Sequence, residues 1–151
     1  MTSVGRIDKA QLLKMSFQEL DDLFGKSPSG PIPDGQAEGT AIIAPGTMFT
    51  DEIAAIINIF AWKGKEFDAA HGTLTNRLLF IGLNAIVAQV YKEPSWFDQQ
   101  ECIVLDYSKT SLVAQWIRDE IRLIAPDFYL GRVYWDKRAL IHFSLDFANQ
   151  K

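Results

Sequence analysis

Near the C-terminus, His142, Ser144 and Asp146 alternate along RALIHFSLDF, and in a strand such positions share a face with a spacing of about 7 Å. An imidazole beside a hydroxyl and a carboxylate can move a proton or hold a ligand headgroup if that face lines a cavity. If the face points to water, the same three are a solvated edge. The opposite face carries Ala139, Ile141, Phe143, Leu145 and Phe147, which fits burial better, so the solvated reading is favoured. Arg132 sits at the centre of FYLGRVYW, where a charge must reach water, a partner or a ligand, and Asp106 is the expected partner. Asp106, Arg132 and His142 are therefore the candidate catalytic set.

Arg118, Asp119, Glu120 and Arg122 could orient a carboxylate-bearing ligand through the Arg fork, although such a mixed-charge run is expected to face water. Trp62, Phe67, Trp96, Tyr107, Trp116, Tyr134 and Trp135 are the candidate aromatics to line a ligand cavity, although aromatics are more often plain core. Cys102 lies in an apolar run without a neighbouring His and reads as a buried, inert thiol. No metal site is expected: His71 and His142 are 71 positions apart, and neither has a second ligand at coordinating distance in sequence. Haem ligation through either histidine stays open, but no cofactor is predicted, and GxSxG, P-loop and GxGxxG patterns are absent.

Composition narrows the function classes. The chain has 151 residues, a net charge of −4 and 48% hydrophobic residues, which suits one globular domain over 1–151. The acidic balance argues against nucleic acid and anionic membrane surfaces as partners. A single cysteine, charges throughout the first twenty residues and no apolar run beyond about ten residues lead to the expectation of a cytoplasmic protein without a membrane span, monomeric or homodimeric.

The elements that must position these residues follow from periodicity. Residues 8–24 have helical spacing, with Ser16 and Glu19 at capping-box distance and Gly25 as a stop. A Pro/Gly-rich arm spans 25–35. Strands are predicted at 36–44, 85–92, 101–107, 127–135 and 138–147, with 73–91 forming one bent strand or two. Thr50-Asp51-Glu52 starts a helix through 62 that Gly64 ends, and a third helix is predicted at 111–124. The fold class is α+β: a curled antiparallel sheet, barrel or half-barrel, with an N-terminal helix and two further helices packed on it.

Three stretches resemble a known group. Leu20-Asp21-Asp22-Leu23-Phe24, Trp62-Lys63-Gly64-Lys65-Glu66-Phe67-Asp68 and Leu78-Leu79-Phe80 are similar to segments of small lipocalin-like β-barrel proteins of the GXWXG type, a group of unknown function. Leu105-Asp106-Tyr107, Leu130-Gly131 and the closing strand to Phe147 extend the resemblance. It implies a calycin-type barrel able to hold an apolar small molecule, and it carries over no catalytic residue. The expected function is binding of a hydrophobic small molecule (lipid, isoprenoid or polyketide-like). The alternative is a cofactor-free isomerase or cyclase of natural-product biosynthesis.

Overall fold

A computed structural model of the chain describes residues 7–48, 50–54, 62–78, 86–108 and 116–148. Eight antiparallel strands close into a barrel in sequence order: β1 (Gly35–Ile42), β2 (Trp62–Asp68), β3 (Thr73–Leu78), β4 (Ile86–Pro94), β5 (Glu101–Asp106), β6 (Ile117–Ala125), β7 (Phe128–Trp135) and β8 (Arg138–Asp146). β1 closes the ring by pairing with β8 from Glu38↔Asp146 to Ile42↔His142. The curled antiparallel sheet expected from sequence is therefore present and closed.

The sheet has an inner and an outer face, and two short helices cover part of the outer one. Inward residues form an apolar cluster that includes Phe67, Ala88, Ile103, Leu105, Ile121, Val133, Ile141, Phe143 and Phe147. Outward residues Cys102, Val104, Phe128 and Leu130 form a second cluster with Leu12, Leu20, Leu23 and Phe24 of two short helices. These are α1 (Lys9–Leu13) and α2 (Phe17–Gly25). Each is started by a reciprocal capping box, Asp8 with Gln11 and Ser16 with Glu19, the latter being the second helix start that its spacing allows within 8–24.

Two expected helices are corrected. Residues 117–125 form β6, not the C-terminal half of a helix, and residues 111–115 lie outside the described set. Leu112, Val113, Trp116, Ile117, Glu120 and Ile121 do have helical spacing. Yet Ile117, Asp119, Ile121 and Leu123 alternate strictly with Arg118, Glu120 and Arg122, and pairing to β5 and β7 selects the period of two. Likewise, the segment ending in Gly64 is strand β2 from Trp62 onward, while residues 51–54 are helical as predicted and 55–61 lie outside the described set. The doubtful stretch 73–91 contains two strands, β3 and β4.

The Pro/Gly-rich arm is laid across one end of the barrel. Leu123 donates its N–H to the Pro28 carbonyl at 2.9 Å, and the Tyr129 hydroxyl donates to the Pro31 carbonyl at 2.7 Å. Ile32 packs on the inner cluster. Gly30 has φ +71, and a Cβ there would stand 2.6 Å from that of Leu123, so the arm can pass this close only with glycine. Among the described residues no helix is long and apolar enough to cross a membrane.

Candidate functional site

Of the eight buried polar or charged residues described, Asp119 alone points into the barrel. Its place on β6 between Ile117 and Ile121, opposite Leu105 and Val133, puts its fully buried carboxylate among apolar groups. The hydroxyl of Tyr107, itself 1% exposed, donates to Asp119 Oδ2 at 3.4 Å. Around this pair the inner wall is apolar and partly aromatic. Phe147 meets Phe67 and Tyr129 edge-on, with centroids 5.4 and 5.6 Å apart. Burial pushes the Tyr129 hydroxyl up to about 12, so it stays protonated and can donate to the arm. Among the described residues the interior thus presents an apolar surface and, in Asp119, an acidic group that accepts a hydrogen bond.

The other buried charges form a second constellation outside the barrel wall, beneath α2 and the β4–β5 turn. Arg132 grips Asp21 of α2 with Nε to Oδ1 at 2.8 Å and Nη2 to Oδ2 at 3.3 Å. His142 Nε2 lies 2.7 Å from the same Oδ1. His142 is fully buried, its ring meets Phe17 edge-on at 4.6 Å, and its Nδ1 has no hydrogen-bond partner among the described residues. That pattern fits a neutral ring carrying its proton on Nε2 and donating it to Asp21. Burial depresses the His142 pKa, an effect the Asp21 carboxylate offsets only in part. Burial alone would raise the pKa of Asp21, but the bonds from His142 and Arg132 hold it below the ordinary carboxylate value.

Further along the same face, Arg132 also donates to the Tyr134 hydroxyl, which donates to Glu120 Oε1 at 3.3 Å. Glu120 additionally receives Ser95 Oγ at 2.6 Å, the Trp96 N–H at 2.8 Å and Arg118 Nη2 at 2.9 Å. Arg118 also pairs with Glu93. Arg122 makes a two-pronged bond to Asp98, at 2.8 and 2.7 Å, and donates to the Phe24 carbonyl at 2.9 Å. Apart from His142 Nδ1, these side chains find partners within the protein, and the constellation fixes α2 and the β4–β5 turn to the sheet.

Several sequence expectations are therefore revised. Arg132 pairs with Asp21, not Asp106. Asp106 instead accepts from Tyr91 at 2.7 Å and from Ser108, on the outside of β5. His142 and Ser144 do lie opposite the inward Ile141, Phe143 and Leu145, but helices cover them, so that face is not solvated. Nor do Arg118, Glu120 and Arg122 form a water-facing seam, because α2 and the turn bury them. Asp106, Arg132 and His142 do not converge on the barrel interior.

Of the aromatics, Phe67 and Tyr107 line the interior, and Trp135 packs against it. Tyr134 is buried in the outer constellation. Trp96 and Trp116 are outside and 44% and 57% exposed. Trp62 opens β2, and its side chain lies outside the described set. Cys102 is buried against the helices, and burial pushes its thiol up to about 12, as an inert cysteine requires. No group of three or more potential metal ligands occurs among the described residues. Sequence reasoning missed Asp119 as an inward group because it was assigned to a helix; the alternation from Ile117 to Leu123 is the signal that would have found it.

No protein-family model matches the chain, and no curated protein matches it. Among solved structures, a protein from Thermomonospora curvata is similar in fold at a TM-score of 0.59 and 16% identity, covering 88% of each chain. At that identity the likeness shows a shared fold alone.

Proposed function

We propose that the chain is a calycin-like binding protein that holds one apolar small molecule of the lipid, isoprenoid or polyketide kind inside the barrel. The observation that carries this reading is the inner wall: an apolar, aromatic-bearing surface on which, among the described residues, the Asp119 carboxylate and the Tyr107 hydroxyl beside it are the buried polar groups. Small-molecule sites have this composition, mostly apolar with few placed polar groups. An eight-stranded barrel is the size that either fills with side chains or holds one small ligand. Asp119 accepts hydrogen bonds, so it selects a ligand whose polar end is a hydroxyl or an amine.

N-phenyl-1-naphthylamine, an apolar amine that brightens out of water, is the probe. Saturable binding of one molecule per chain is expected, with affinity reduced at least tenfold in Ile121→Trp, a variant that fills the interior. Circular dichroism checks that the variant is folded. Failure to bind, or equal binding by a folded Ile121→Trp protein, overturns the proposal.

A second reading, a cofactor-free isomerase or cyclase, draws support from the same Tyr107–Asp119 pair, since a carboxylate in an apolar enclosure can exchange a proton with a bound substrate. It moves the catalytic role away from Asp106, Arg132 and His142. It expects Asp119→Asn to bind a substrate normally and turn it over at least a hundredfold more slowly; unchanged turnover would rule it out.

A further inference from the structure

The Pro/Gly-rich arm joins α2 to β1, and its bonds carry it over the full width of one barrel end. Ser29 Oγ donates to Glu101 Oε1, at the start of β5, at 2.7 Å. The Pro28 carbonyl accepts from Leu123 on β6, and the Pro31 carbonyl from Tyr129 on β7. Asp34 Oδ1 then accepts the N–H of Ala69, just past β2, at 2.9 Å. β2 and β6 are four strands apart in a ring of eight, so they stand on opposite sides of it. The arm is therefore a strap across the end that holds the β2–β3, β4–β5 and β6–β7 turns.

The middle of the strap is built as a fixed stop. Ile32 lies between Pro31 and Pro33 and packs on the inner cluster. Each proline fixes its own φ, and Pro33 also holds Ile32 to extended backbone. Leu123, whose N–H is bonded to the arm, packs on the same cluster from the wall. Tyr129 joins strap and wall, since its ring belongs to the inner cluster while its hydroxyl holds the Pro31 carbonyl.

The interior differs between its two ends. Phe67 is the next-to-last residue of β2, Tyr129 the second of β7, and Phe147 follows β8, so all three rings stand at the strapped end. Asp119 is four residues before Leu123 on β6, about 13 Å along the strand. Tyr107, its partner, lies just past the end of β5 that is away from the strap. Among the described residues the strapped end is thus apolar, and the carboxylate and hydroxyl lie toward the other end.

We propose that the strap is the floor of the barrel site and that Ile32 sets the length of the ligand it takes. This rests on the reading of the interior as a binding site. The ligand is an amphiphile whose apolar end lies against Ile32 and the rings beside it. Its hydroxyl or amine lies at Asp119 and Tyr107, toward the unstrapped end. Length selection follows from that orientation. Each methylene that fits between Asp119 and the floor leaves water and adds affinity, about fourfold. One that does not fit must press on Ile32, whose proline-flanked backbone resists it, or lift the polar end off Asp119.

The test is displacement of N-phenyl-1-naphthylamine from the full chain by n-alkylamines from hexyl to tetradecyl, each below its micelle concentration. In the parent, affinity is expected to rise with each methylene up to one length and then to stop rising. Ile32→Ala is expected to move that limit to a chain at least one methylene longer, and Ile32→Trp to one at least one methylene shorter. Asp119→Asn acts at the other end, so it should weaken every amine by a common factor of at least tenfold and leave the limit in place. Ile32 is only half-buried, so its variants should fold, and circular dichroism checks this. The proposal is overturned, with the barrel reading intact, if the naphthylamine binds but no amine displaces it, if no limit exists, or if the limit stays where it is in a folded Ile32 variant. A limit that moves with Asp119→Asn means the reverse orientation and overturns it equally. A parent that does not bind the naphthylamine overturns both.

Discussion

Asp21 is a carboxylate of the outer face on which two buried groups depend. Removing it leaves Arg132, 5% exposed, and His142, fully buried, without their shared acceptor. Breaking a buried pair by deleting one partner costs about 3–5 kcal/mol. Asp21→Ala is expected to lose that amount in urea unfolding, whereas Asp22→Ala, one residue on and exposed, should change stability by less than about 0.5 kcal/mol. Equal effects at the two positions would show that the ion pair does not hold α2. Half of this was legible in the sequence. Phe17, Leu20, Asp21 and Phe24 recur at helical intervals, so Asp21 shares the buried face and Asp22 does not. The other half was not, since Arg132 is 111 positions away and nothing local distinguishes Asp21 from Asp106 as its partner.

At the level of elements, the strands with one dominant face were readable. β8 was predicted at 138–147 and lies at Arg138–Asp146. β6 was not, because helices and outer-face strands look alike when both faces are buried and the outer one carries charges. Arg118, Glu120 and Arg122 read as a solvated helix side, although an ion-paired layer between sheet and helix needs the same residues. Pairing between β7 and β8 supplies a sharper test of packing. Gly131 stands opposite Phe143, whose ring lies across it, and a Cβ there would fall 2.2 Å from the ring carbons. Gly131→Ala must displace that ring from its place against the strand, at a cost of about 1–3 kcal/mol. Phe143→Leu in the same chain should recover part of this loss. A double-mutant cycle giving simple additivity would mean that the ring is not what the methyl meets.

Over the whole molecule, the closed barrel sets where ionisable groups end up: between two covered layers, several of them in forms that acid disturbs. His142 has a folded pKa below its ordinary 6.5. Above pH 6.5 both folded and unfolded chains hold it neutral and it does not affect the balance. As pH falls below 6.5 the unfolded chain takes up a proton that the folded one refuses, so stability declines, by at most about 1.4 kcal/mol per pH unit for one group, until the folded pKa is reached. Arg132 and Asp21 are the charged groups facing it, and Asp21 acts in the same direction at lower pH. Its folded pKa lies below the ordinary 3.8, so its contribution is complete above that value and is lost as pH falls through the folded one. Asp98, held low by Arg122, adds to the second step. Unfolding followed in urea should therefore show a shallow loss of stability as pH falls below 6.5 and a steeper one below 3.8. His142→Gln keeps a donor for Asp21 but cannot take up a proton, so in that variant the first step should vanish and the second remain. A first step that survives His142→Gln would place the acid sensitivity elsewhere than the α2 contact, since Asp21 and Asp98 are both held below the ordinary carboxylate value.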